Sequence, residues 1–231
     1  MMLEKFLKCL VVICGLLLIL LCFELFKHSN EITELRLLVK DVKEYYLQNK
    51  KSYIPQDNNL YMDVNKITLG NAPDSVNVII EVSANSNVKY EMDKDSGALF
   101  VDRFLHTPMF YPANYGFLPQ TLADDGDPLD ALVLTRWKIQ EGSVIKSRPI
   151  GVLIMEDEKG MDEKIICVPD KKLDKAYENV NDIKDLPEQV VLEIKHFFEH
   201  YKDLENGKWV KVSGIDGAEK AKEIIKKFIK K

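Results

Sequence analysis

Residues 125–130 read Asp-Gly-Asp-Pro-Leu-Asp, and the next four, Ala131-Leu-Val-Leu134, are all apolar. Gly126 and Pro128 favour a tight turn over a helix. The apolar run behind them reads as a buried strand. This junction constrains the fold strongly, because it fixes Asp125, Asp127 and Asp130, with Asp124 just upstream, at the rim of a sheet. Carboxylates crowded on a rigid rim repel one another. Hard divalent cations such as Mg2+ take oxygen ligands and are the natural occupants of the space between them. The plainer alternative is a solvated acidic turn.

A second acidic cluster, Glu156-Asp-Glu-Lys-Gly-Met-Asp-Glu163, lies between the apolar runs Gly151–Met155 and Lys164–Val168. With Gly160 at its centre it predicts a β-hairpin. Asp157 and Asp162 then stand on opposite arms near one turn, able to share a metal. Alone, such a hairpin is more often a charged surface turn. With the first cluster it suggests a centre holding several metals.

A centre of several Mg2+ ions usually handles phosphate, which calls for cationic and hydroxyl partners. Lys89-Tyr-Glu-Met-Asp93, a Lys94–Gly97 turn and Ala98–Phe104 read as another hairpin. Lys89 and Glu91 are two apart and share a strand face. Arg103 comes from the partner strand. Tyr111-Pro-Ala-Asn-Tyr115 adds two phenols in an extended segment. Taken singly, Tyr111 and Tyr115 read as core aromatics and Arg103 as a surface ion pair.

Together these segments resemble the family I soluble inorganic pyrophosphatases of bacterial type. The resemblance runs from about Met62 to the C-terminus. It is carried by Lys89-Tyr-Glu, Asp95-Ser-Gly-Ala-Leu-Phe-Val-Asp-Arg-Phe104, Tyr111-Pro-Ala-Asn-Tyr-Gly-Phe117, the Asp125–Asp130 signature, Met155-Glu-Asp-Glu, Asp162-Glu-Lys and His196-Phe-Phe-Glu-His-Tyr-Lys-Asp-Leu204. Ala113 stands where relatives often have Cys and Ile215 where they usually have Trp; neither is a catalytic position of the family.

The resemblance implies Mg2+-dependent hydrolysis of diphosphate to two phosphates, with several metal ions per site. Asp125, Asp130 and Asp162 would hold the first metal, with Asp130 reaching a second, so that a bridging water loses its proton more readily. Asp127 would be its general base. Asp157 and Asp162 would hold a substrate-borne metal, and Glu91 another. Glu81 and Glu158 would orient neighbours. Lys89, Arg103, Tyr115, Lys164, Tyr201 and Lys202 would bind phosphate oxygens. Tyr111 would lie near the nucleophile. The family likeness also implies a homo-oligomer, a homohexamer, with the His196 and His200 region at a subunit contact.

Elsewhere, Val76–Val82 reads as a strand ending near Glu81. Leu186-Pro187 opens a helix to about Leu204, whose stripe is Val190, Val191, Ile194, Phe197, Phe198 and Tyr201. Lys208–Val212 reads as a last strand, and Ala218 to Ile229 as an amphipathic helix with Ala221, Ile224, Ile225 and Phe228 inward. His196 and His200 share a helix face but lack a His-Glu-x-x-His frame, and so read as a packing or interface pair. The expected fold is mainly β with helices (α+β): a small closed antiparallel β-barrel, OB-like as the family has, flanked by two main helices.

Residues 1–61 stand apart from the pyrophosphatase domain expected over 62–231. Cys9–Phe23 is a run of 15 uncharged residues, and Phe6–Phe26 gives 21 broken only by Lys8 and Glu24. That is near the minimum for a transmembrane helix. No small-x-small site follows, so residues 1–30 read as an uncleaved anchor in preference to a signal peptide. Lys27, Arg36, Lys40 and Lys43 against Lys5 and Lys8 place the C-terminal side in the cytoplasm. The absence of a disulfide framework agrees with a reducing compartment. Residues 31–61 read as an amphipathic helix, Ile32 to Tyr46, then a linker at Pro55 to Asn59.

A net charge of −5 argues against nucleic acid as a partner. Two other classes fit the residues less well. An EF-hand-like Ca2+ module fails, because it needs Gly at loop position six and Glu at twelve, where this chain has Asp130 and Arg136. A membrane-anchored, pilin-like structural protein with an inactive pyrophosphatase-like domain would lack a catalytic residue, and none is missing.

Overall fold

A computed structural model describes Lys40 and residues 63–230. Its strands, in chain order, are β1 (Gly70–Asn71), β2 (Ser75–Val82), β3 (Val88–Met92), β4 (Leu99–Phe104), β5 (Asn114–Phe117), β6 (Asp130–Val133), β7 (Val144–Asp157), β8 (Gly160–Met161), β9 (Lys164–Pro169) and β10 (Val210–Gly217). Helix α1 (Glu188–His200) precedes β10 and α2 (Ala218–Phe228) follows it.

The main sheet runs β1-β2-β5-β6-β9-β7-β10, and a further β2–β7 pairing joins β2, β5, β6, β9 and β7 into a ring. The closure is antiparallel at every pairing but one: β6 and β9 are parallel. The reason is parity. Directions cannot alternate all the way round a ring of five strands. The β2–β5, β5–β6, β2–β7 and β7–β9 pairs are antiparallel, so the fifth must be parallel. Strand β7 is long enough to serve β2, β9 and β10 together. Its Pro149 cannot donate to a ladder, and the β7–β9 register shifts between Pro149 and Gly151, where a bulge accommodates it.

The cores follow the two-residue period of the strands. From β6 and β9, Leu132, Ile166 and Val168 pack with Ile194, Phe197 and Phe198 of α1. Ala131, Val133, Ile165 and Cys167 point the other way, against Ala221, Ile224, Ile225 and Phe228 of α2. Both faces of β9 are therefore covered, and even Lys164 at its start is buried.

Helix α1 stops at His200, four residues short of the expected end. Tyr201 is its C-cap, and Asp203 donates its amide to His200 in a following turn. The last strand starts at Val210 and runs on to Gly217, because it pairs along the outer edge of β7. At α2, Asp182 accepts the Ala218 amide at 3.0 Å, a cap brought from a distant loop. The apolar segment 6–26, the amphipathic stretch 32–46 apart from Lys40, and the linker lie outside the described residues. Among the described residues no helix is long and apolar enough to cross a membrane.

Candidate active site

One rim of the ring carries the ends of several strands, and the β3–β4 hairpin joins them around a cleft of about 280 Å³. Every residue given a catalytic, metal-holding, phosphate-binding or orienting role from the sequence lines it. The acidic turn sits at its mouth. Ala123 donates its amide to the Asp127 carbonyl at 2.7 Å, and Asp127 donates its own to Asp125 Oδ1 at 3.0 Å. Gly126, at φ +91°, adopts the left-handed backbone this turn needs. Asp125 and Asp127 stay exposed, while Asp130 is drawn half inside by β6.

The parallel register sets Asp130 beside Lys164. The buried Lys164 ammonium donates to both Asp130 and Asp162. Burial opposes its charge, yet these two carboxylates hold its pKa above the ordinary lysine value. Burial raises the Asp162 carboxyl pKa, with Asp130 adding to the effect and Lys164 partly offsetting it. The ammonium also lies over the Tyr115 ring, 5.9 Å from its centroid.

Asp157 ends β7 and accepts from Lys202 at 2.7 Å. Burial would raise its pKa, but Lys202 and the Lys159 amide outweigh that and lower it. Glu158 is held down at about 2: burial pushes up, and its bond from Lys208 pulls harder. Glu158 Oε2 is buried without a hydrogen-bond partner. On the hairpin, Lys89 pairs with Glu91 at 2.6 Å and lies 3.7 Å from Asp102. Glu81 is buried under the hairpin, accepts the Met92 amide at 2.8 Å, and is raised by burial to about 8.

The phenols form one wall. Tyr111 lies 5.3 Å from Tyr115 and 4.9 Å from Phe197, and Phe197 stacks on Tyr201 at 5.3 Å, centroid to centroid. Burial raises the pKa of all three phenols, so they enter the site as O–H groups. Tyr111 and Tyr115 are packed in the core and also line the cleft.

Sequence reasoning missed Lys94, which pairs with Asp127 at 2.9 Å, together with Asp102 and Lys208. Lys94 adjoins a flagged hairpin, so an unassigned cation there was a usable signal. Lys208 is 50 residues from Glu158, and no spacing rule spans that.

Apart from Glu81, which burial keeps mostly protonated at neutral pH, the lining carries eight carboxyl groups (Glu91, Asp102, Asp125, Asp127, Asp130, Asp157, Glu158, Asp162) against seven cations (Lys89, Lys94, Arg103, Lys159, Lys164, Lys202, Lys208). Among the described residues no three metal-ligating side chains converge into a ready-made cluster, since lysines pair with the acids. The donor set nonetheless fits hard divalent cations. It is all oxygen, it is in excess over the cations, and it includes a buried Glu158 oxygen that makes no hydrogen bond and lies 3.6 Å from the Lys202 ammonium.

The sequence matches the family described as inorganic pyrophosphatase over residues 78–231. The inorganic pyrophosphatase of Gluconobacter oxydans is 61% identical over 166 residues, 71% of this chain and 96% of that protein. That of Campylobacter jejuni is 54% identical over 169 residues, 73% of this chain and 98% of that protein. Among solved structures, the inorganic pyrophosphatase of Helicobacter pylori has a TM-score of 0.69 and 54% identity, covering 71% of this chain and 96% of the other. That of Thermus thermophilus has a TM-score of 0.70 and 46% identity, covering 73% and 97%. This chain belongs to the inorganic pyrophosphatase family.

Proposed function

We propose that the cleft carries out the family's reaction, hydrolysis of inorganic diphosphate to two phosphates, with Mg2+ ions held by Asp125, Asp130, Asp157, Asp162 and Glu91. When bound, such ions lower the pKa of the attacking water and neutralise phosphate charge. Asp127, exposed at the mouth, takes the proton of that water. Lys89, Arg103, Lys164 and Lys202 bind phosphate oxygens and offset the charge of the leaving phosphate, and the Tyr115 and Tyr201 hydroxyls donate to it. Lys164 exchanges its carboxylate partners for phosphate oxygens as substrate enters. Tyr111 closes the nucleophile side. Glu81 and Glu158 orient the hairpin and Lys208.

The observation that carries this reading is the charge of the cleft. A multiply charged anion is taken up by a lining with more carboxylates than cations only when further cations accompany it. The roles are separated by two variants. Asp130→Asn loses Mg2+ affinity as well as rate. Asp127→Asn keeps Mg2+ affinity, measured by calorimetry, and lowers kcat by about 10²- to 10⁴-fold. The reverse pattern means that the roles are exchanged.

The catalytic unit is residues 62–231, working in the cytoplasm, with residues 6–26 as a tether to the inner membrane face. The buried, unpaired Cys167 suits a reducing compartment. Assembly into a homo-oligomer uses the groove of Met109, Phe110, Leu192 and His196, where Phe110 and Leu192 are exposed.

A further inference from the structure

We infer that Glu205, outside the set that contacts substrate, is the positioning residue that aims Arg103. This rests on the reading of Arg103 as a phosphate-binding group. Arg103 Nε lies 3.2 Å from Glu205 Oε1, an ion pair by distance without hydrogen-bond alignment, and the Glu205 side chain is only 8% exposed. On its other side, Arg103 Nη1 donates to Asp102 Oδ2 at 2.8 Å. Asp102 belongs to β4 itself and moves with Arg103. Glu205 comes from the turn after α1, so it alone of the two fixes the guanidinium relative to the rest of the cleft.

The backbone of Glu205 is anchored in the same turn that presents two other cations. Its amide donates to the Lys202 carbonyl at 2.8 Å, and its carbonyl accepts the Lys208 amide at 3.2 Å. Lys202 and Lys208 in turn grip Asp157 and Glu158. One turn thus sets Lys202 and Lys208 by its backbone and Arg103 by its carboxylate. Burial opposes the Arg103 charge, yet Glu205 and Asp102 raise its pKa above the ordinary value, so the guanidinium stays charged. An Arg held at two edges of its planar fork loses less freedom when it binds an anion, and the benefit appears mainly as substrate affinity.

The test is a double-mutant cycle on the full chain with Mg2+ present, reading KM and kcat for diphosphate and, by calorimetry, affinity for inorganic phosphate. Arg103→Lys is expected to weaken both. Glu205→Gln is expected to raise KM about tenfold, to change kcat less and to weaken phosphate binding in parallel, the scale of one lost pairwise coupling. In the Arg103→Lys background, Glu205→Gln is expected to add little, because its effect acts through Arg103. Glu205→Asp, which keeps the charge, is expected to recover part of the loss. Should Glu205→Gln fail to fold, Glu205→Asp alone and in the Arg103→Lys background completes the cycle. Additive effects of the two variants, or a loss in kcat alone, mean that Glu205 serves only the turn and overturn the inference. If Arg103→Lys changes neither KM nor phosphate binding, the reading of Arg103 itself is wrong.

Discussion

Glu81 shows how a single buried carboxyl becomes a pH-dependent stability term. Its ordinary value is 4.5, and burial raises it to about 8 in the folded chain. The stability it contributes is fully present below the ordinary carboxyl range and is lost as pH rises through about 8. Glu81→Gln keeps an acceptor for the Met92 amide and removes the charge. In EDTA, the variant is expected to gain on the parent between about pH 5 and pH 8, reaching a few kcal/mol in urea unfolding. A difference that stays constant over that range contradicts the assignment. At this scale the acids were legible, because Asp125, Asp127 and Asp130 fall within six residues and Asp157 and Asp162 flank one turn. Their partners were not. Lys94 reaches Asp127 across 33 residues, and Arg103 meets Glu205 from another part of the chain. Such pairs are made by folding and leave no local pattern.

Among the elements, β5 packs closely on β2 through Gly116. A Cβ there would lie 1.8 Å from the Ile79 carbonyl oxygen, next to the register shift between Ile80 and Val82. Gly116→Ala must push the strands apart and is expected to cost about 3 kcal/mol in denaturant unfolding, the upper range for overpacking. An unfolding midpoint within error of the parent contradicts that packing. The strand cores of β2, β6, β7 and β9 were readable from their apolar runs, as was the stripe of α1. The parallel β6–β9 pair was not, since it follows from counting strands round the ring and no property of either segment announces it. The end of α1 was overrun because Tyr201 continues the apolar stripe and joins the core as the C-cap, without helical bonds beyond it.

For the whole molecule, two claims lie beyond the single chain's geometry. The groove at Phe110 and Leu192 exposes 54% and 50% of two large apolar residues, a surface expected to be covered by another copy. Leu192→Asp is therefore expected to lower the oligomer mass in sedimentation velocity; an unchanged mass places the contact elsewhere. The larger claim is that residues 62–231 are sufficient for metal-dependent catalysis. Phosphate release from diphosphate by that fragment, beside the full chain, tests it directly. The expected result is turnover with Mg2+, loss on adding EDTA and recovery when Mg2+ is restored in excess. Full turnover without any divalent metal, or no turnover by fragment and full chain alike when Mg2+ is supplied, contradicts it.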